Sequence, residues 1–256
     1  MSRSVGQDRW PTHGRPEASV GRRPRWSSPS SLGRVELHLD RAPEGLTRRA
    51  RYFVLAHGIK IDVPQVSRHR EQWLASGIPS AEIDRATAYQ ERWGGLVLPP
   101  APHYDGGPKY LDAGLPEGSS TGGWCFEAGA QRTAVPYSFM IGPAGEFGIH
   151  ADRWTPLHQT VEGWVESVAL AHHASMWAKR ITRVTGDDVD GLALDAFEPV
   201  KEVTGLADTW WRGKDSLVAV YTGEAECLSG PRCRTALIYS GLDQWGLHGG
   251  VASGDS

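Results

Sequence analysis

Between residues 80 and 93 the apolar side chains Ile83, Ala86, Tyr89 and Trp93 recur at helical spacing and form one stripe. Ser80, after Pro79, can cap this helix, and Gly94-Gly95 ends it. An earlier helix reads from Asp62 as cap, with Pro64 near its first turn. Val66, His69, Trp73 and Leu74 share its face, and Gly77 stops it. Leu96-Val97-Leu98, closed by Pro99-Pro100, predicts a short strand, and the Pro- and Gly-rich stretch 99–123 a long loop. Residues Tyr137 to Ile141 alternate, Gly142-Pro143-Ala144-Gly145 can turn the chain, and Phe147 to His150 return as a hairpin. The strongest helix opens at Thr160, with Glu162 and Glu166 near its positive end and Val161, Trp164, Val165 and Val168 on its apolar face. Lys179, Arg180 and Arg183 suit its far end, and Gly186 is the expected stop. Ser216–Tyr221 and Thr235–Tyr239 read as strands. Strand and helix do not alternate along the chain. The pattern therefore predicts an α+β fold, a single domain with a mainly antiparallel, curved sheet packed against helices.

Composition divides the chain. Residues 1–52 carry eleven arginines against five acidic residues, a surplus of +6; the remaining 204 carry 16 basic against 25 acidic residues, a deficit of −9. Together with the Arg, Ser, Pro and Gly content, this predicts a disordered basic leader over residues 1–48. A folded domain over 49–245 and a flexible tail over 246–256 complete the expectation. The acidic body argues against nucleic acid as a partner of the folded domain. No apolar run approaches the ~20 residues of a membrane span, and the arginines near the start lead into no apolar signal segment. The expected compartment is the cytoplasm.

Candidate chemistry is sparse. Three cysteines, Cys125, Cys227 and Cys233, are an odd number without CxxC spacing, against a disulfide scaffold or a zinc site. Cys227 and Cys233 flank a short loop and could meet across it. His150, His158, His172 and His173 crowd in sequence, but neighbouring helical positions diverge by about 100° and HExxH is absent, so no metal and no cofactor is expected. Cys125 after Gly122-Gly123-Trp124, with His150 or His158 as base, is the one arrangement that suggests a nucleophilic enzyme, hydrolase or deaminase-like; the full local signatures are missing and the histidine spacing fits neither, so a small buried thiol on a strand is the preferred reading. Trp210-Trp211-Arg212 has the composition of an interface anchor. Glu117, Asp152 and Asp208 could complement a basic partner.

Glu91-Arg92-Trp93-Gly94-Gly95-Leu96-Val97-Leu98-Pro99, a helix end running through Gly-Gly to Leu-Pro, resembles the opening motif of the SUKH superfamily. The strand Phe147–His150 followed by Trp154, the Thr160 helix and Trp164 resembles the later part of such domains, so the resemblance spans about residues 62–180. It implies an α+β domain without catalytic residues that acts by binding a protein partner, as immunity proteins of bacterial toxin systems and cell-wall signalling regulators do. In that reading Glu91, Trp93, Gly94, Gly95, Leu98, Pro99, Trp154 and Trp164 hold the fold, with Gly94 supplying the left-handed turn and Gly95 the close approach. Trp210, Trp211 and Arg212 meet the partner, a toxin among the expected classes, and residues 190–245 are an added β element.

Overall fold

The computed structural model describes residues 39–118 and 122–249. Thr47 caps the first helix, α1 (Arg48–His57), its hydroxyl accepting from the Ala50 N–H. After β1 (Ile59–Lys60), a 3₁₀ turn at Val66–His69 leads into α2 (Arg70–Ala75). The helix expected from Asp62 thus starts later and is shorter. Val66 and Trp73 are buried as the face requires, while Leu74 is exposed. In α3 (Ser80–Trp93) the predicted stripe of Ile83, Ala86, Tyr89 and Trp93 is buried.

The Gly-Gly corner after α3 works differently from expectation. Gly94 has φ −54°, and it is Gly95, at φ +77°, that adopts the left-handed backbone. Gly95 donates to the Leu111 carbonyl at 2.7 Å and accepts from the Ile61 N–H at 2.9 Å. A Cβ there would lie 2.0 Å from the Ile61 carbonyl oxygen. Both demands, handedness and closeness, fall on one residue. Gly95→Ala is expected to cost roughly 2–3 kcal/mol in urea unfolding; a loss under about 1 kcal/mol would show that the Ile61 backbone moves aside freely.

The chain then lays down β2 (Leu96–Val97), which pairs with β1, followed by β3 (Pro108–Leu111), β4 (Glu117–Gly118), β5 (Trp124–Glu127) and β6 (Gly129–Gln131). The predicted hairpin forms as β7 (Ser138–Ile141) and β8 (Phe147–His150), and β9 (Trp154–His158) follows. One five-stranded sheet has the order β4-β5-β7-β8-β9; β3 and β6 pair separately.

Helix α4 (Val161–Trp177) starts where predicted, with the Thr160 hydroxyl accepting from the Gly163 N–H. It ends nine residues before Gly186. Arg180–Thr185, read as its basic end, is instead β10, rich in β-branched residues. The chain continues through β11 (Glu198–Pro199), β12 (Asp208–Arg212), β13 (Ser216–Tyr221), the short α5 (Gly223–Cys227), β14 (Thr235–Ser240) and α6 (Gln244–His248). Together with β10 these strands form a second antiparallel sheet, β10-β14-β13-β12-β11, so residues expected as an appendage supply four of its five strands. The fold is α+β, with its antiparallel strands divided between two five-stranded sheets and two two-stranded pairs.

Helix α4 is the shaft between these parts. Its first three turns are buried almost all round, the mark of a helix inside the core. Trp164 stacks on Phe147 of the first sheet with ring centroids 4.8 Å apart. Ser167 accepts from the Trp210 indole N–H of the second sheet at 2.8 Å. Glu166, between them, turns to α1. Its carboxylate accepts from the Thr47 N–H at 2.6 Å, the Thr47 hydroxyl at 2.8 Å and the Arg49 Nη2 at 3.2 Å. A carboxylate at that place also complements the positive end of α1.

Both expected boundaries shift. Residues 1–38 of the leader lie outside the described residues, but Ala42 and Leu46 are already buried in the core, so the ordered chain begins before residue 48. At the other end Leu247 is buried in α6, within the expected tail, and residues 250–256 lie outside the described residues.

Candidate functional site

The residues of the resembling motif sit mostly where a structural role requires. Trp93, Leu98 and Trp164 are buried, Trp154 and Pro99 half-buried, and Glu91 exposed. Gly142 and Gly148 both lie against the Trp154 ring, where a Cβ would come within 2.7 Å and 2.6 Å of it.

The expected partner anchor on β12 needs correction at Trp210. Trp210 is only 2% exposed and stacks on Tyr239, so it is a core residue. Alternation along the strand turns Trp211 the other way, half-buried, with its indole N–H donating to the Thr209 hydroxyl. Arg212 is paired with Glu202 at 3.3 Å. Asp208 is likewise enclosed and is no surface acid.

Cys125 lies half-buried on β5, with its thiol toward the Glu117 carbonyl. Burial, and then the Glu117 charge, push the thiol up, away from the thiolate a nucleophile needs. Among the described residues no histidine hydrogen-bonds it: His150 is exposed on β8, and His158 is buried with its Nδ1 3.1 Å from the Val203 carbonyl. Burial lowers His158 to about 4, so it is neutral near pH 7. Cys227 and Cys233 are both free thiols. Among the described residues no group of three or more His, Cys, Asp or Glu could hold a metal ion.

Two places concentrate polar chemistry that the sequence did not bring together. The first is enclosed. Tyr104 and Asp105 occupy left-handed backbone, at φ 56° and 48°, on the loop before β3. The Tyr104 hydroxyl donates to Asp208 Oδ1 at 2.8 Å, and the Thr222 and Gly223 N–H groups reach the same oxygen at 3.2 and 3.3 Å. Asp208 Oδ2 has no hydrogen-bond partner among the described residues, and burial raises this carboxyl to about 7. Beside it the Tyr137 hydroxyl donates to Glu224 at 2.6 Å, while His103, stacked on Tyr221, is lowered by burial to about 4. These contacts clamp a strained loop to β12 and α5. Enclosure of Asp208 and Tyr104 keeps the clamp from solutes.

The second is open. A groove of about 420 Å³ runs between α1, the end of α4, and α6. Helix α1 contributes Arg48, Arg49, Tyr52, Phe53 and His57. From α4 come His172, His173, Met176 and Trp177, and from α6 Trp245. Neighbouring helical positions diverge as anticipated: His172 turns toward His57, ring centroids 4.5 Å apart, while His173 Nε2 lies 3.0 Å from the Trp245 carbonyl. Burial lowers both His172 and His173, so they line the groove uncharged near pH 7. The large apolar side chains at its mouth are unusually bare: Tyr52 is 72% exposed, Met176 60%, Trp245 54% and Trp177 47%. These four are half of the exposed large hydrophobics among the described residues, gathered in one place. No helix among the described residues is long and apolar enough to cross a membrane. Comparison with known protein families, with curated proteins and with solved structures found no match.

Proposed function

We propose that this chain is a non-catalytic protein-binding module working in the cytoplasm, in the manner of the immunity and regulatory domains of the SUKH superfamily that its Gly-Gly-Leu-Val-Leu-Pro corner resembles, with a toxin among the candidate partners. The groove between α1, α4 and α6 is its contact surface. One observation carries the reading: Tyr52, Met176, Trp177 and Trp245 expose their side chains together around one cleft. Aromatic and Met side chains are the preferred anchors of protein interfaces, and isolated exposed apolar residues need no such explanation. The cleft is also of the size that holds an anchoring side chain or short segment.

The test is site-specific photo-crosslinking in the cells that make the protein. A benzophenone amino acid replaces Tyr52 or Trp245 in the groove, or Leu115 or Ile181, which are comparably exposed but outside it. The expected result is one and the same protein captured from positions 52 and 245 and absent from 115 and 181. Adducts that ignore position, or none at 52 and 245, would remove the groove as a partner surface.

A further inference from the structure

We infer that the groove is built for a protein segment presenting a carboxylate beside an aromatic side chain; this rests on the binding reading above and adds the chemistry of the occupant. The charge around the groove is the first argument. The chain beyond residue 52 is acidic overall, yet no Asp or Glu is among the groove-lining residues, whereas Arg48 and Arg49 are. Arg48 is exposed and has no hydrogen-bond or ion-pair partner among the described residues. A lone cation at the mouth of an apolar cleft favours an anionic visitor over a cationic one.

Arg49 supplies the second, independent argument. Its side chain is only 5% exposed, and its Nη2 is engaged by Glu166 at 3.2 Å and lies 3.9 Å from Glu202. Its Nε–H is buried and has no partner among the described residues, on a side chain that lines the same groove. Buried donors are nearly always satisfied, so this one calls for an acceptor. Gly249 fixes the guanidinium stem in place. A Cβ on Gly249, at φ +64°, would lie 2.7 Å from the Arg49 Cδ. A carboxylate oxygen at this N–H, in a groove that Arg48 also lines, makes a charge-assisted hydrogen bond that a neutral amide cannot match. Around it, Trp177 and Trp245 meet edge to face at 6.5 Å, and Tyr52 and Phe53 of α1 line the same groove. Those rings suit an aromatic side chain next to the acid. His172 and His173, uncharged near neutral pH, do not compete for the carboxylate as cations.

The test titrates the full chain with three capped peptides, acetyl-Glu-Phe-Glu-amide, acetyl-Gln-Phe-Gln-amide and acetyl-Glu-Ala-Glu-amide, read by tryptophan fluorescence near neutral pH. The acidic aromatic peptide is expected to bind at least about ten-fold more tightly than either relative. Arg49→Lys keeps the charge facing Glu166 but lacks the Nε–H, and should shrink the Glu-over-Gln preference to about two- to three-fold. Arg48→Gln, at an exposed position that does not threaten folding, should remove most of the salt dependence of binding. Equal binding of the Glu and Gln peptides overturns the inference, as does a preference that survives both arginine substitutions or the absence of peptide binding. If crosslinks from positions 52 and 245 still capture a protein in any of those cases, only the carboxylate chemistry is lost. If crosslinking fails as well, the binding reading falls with it.

Discussion

Trp210→Ala is expected to destabilise the protein by about 3–5 kcal/mol, while Trp211→Ala, one residue along the same strand, costs about 1 kcal/mol. The difference follows from the pleat. Trp210 points inward, where it stacks on Tyr239 with centroids 5.8 Å apart and donates its indole N–H to Ser167 of α4. Truncating it leaves a large void and a buried hydroxyl deprived of its donor. Trp211 faces the other side of β12, half in solvent, and its indole bond is local, to Thr209. Urea unfolding with an unchanged denaturant slope measures both losses. Equal losses would contradict the assignment of one tryptophan to the core and the other to the rim. A partner that dissociates on Trp211→Ala in the absence of any stability change would return the binding surface to β12.

Asp208 governs the second large effect, a pH dependence. Its carboxyl is raised by burial to about 7 in the folded protein, from the ordinary 3.8. The native state therefore holds a proton that the unfolded chain has released across most of this window. Stability contributed by the neutral carboxyl is fully present below about pH 4. It is lost as the pH rises toward 7, by up to roughly 4 kcal/mol at about 1.4 kcal/mol per unit. His103 and His158, both lowered to about 4, act in the opposite sense: the unfolded chain takes up their protons first, so their contribution grows as the pH climbs from about 4 to 6.5. The wild-type curve alone mixes the two. Asp208→Asn isolates the acid, because its side-chain oxygen can still accept from Tyr104, Thr222 and Gly223 while nothing at that position titrates. The wild type is expected to lose ground to the Asn variant steadily between pH 4 and 7, with the histidine contributions cancelling in the difference. A difference that stays flat across the window would place the ionised carboxylate in the fold.

The helix stripe of α3, the β7–β8 hairpin and the Thr160 cap were legible because each is local: period, turn residues and cap lie within a few positions of one another. Strand β10 was not. Lys179, Arg180 and Arg183 suit the negative end of a helix as well as they suit an exposed edge strand, and what decides is pairing with Thr235–Ser240, more than fifty residues away. The groove was hidden for the same reason, since its three walls come from residues 48–57, 169–177 and 245–249. A signal did exist at one wall. Met176 and Trp177 fall at the end of α4, where its enclosure gives way to solvent, and large apolar residues on an open face invite the question of what covers them. Trp210 misled because composition suggests an interface and only the register of β12 shows which way the ring turns.

The Glu166 clasp on Thr47 ties together residues 119 positions apart, and the groove needs Trp245 as well. During synthesis, α1 emerges long before the helix that holds it, so a ribosome-bound chain has the first wall of the groove and neither of the others. Such distant closures form late in folding. The complete groove is thereby reserved for finished molecules. A copy truncated before α4 lacks two of the groove's three walls. The clasp makes the groove a property of the whole fold and of no single segment.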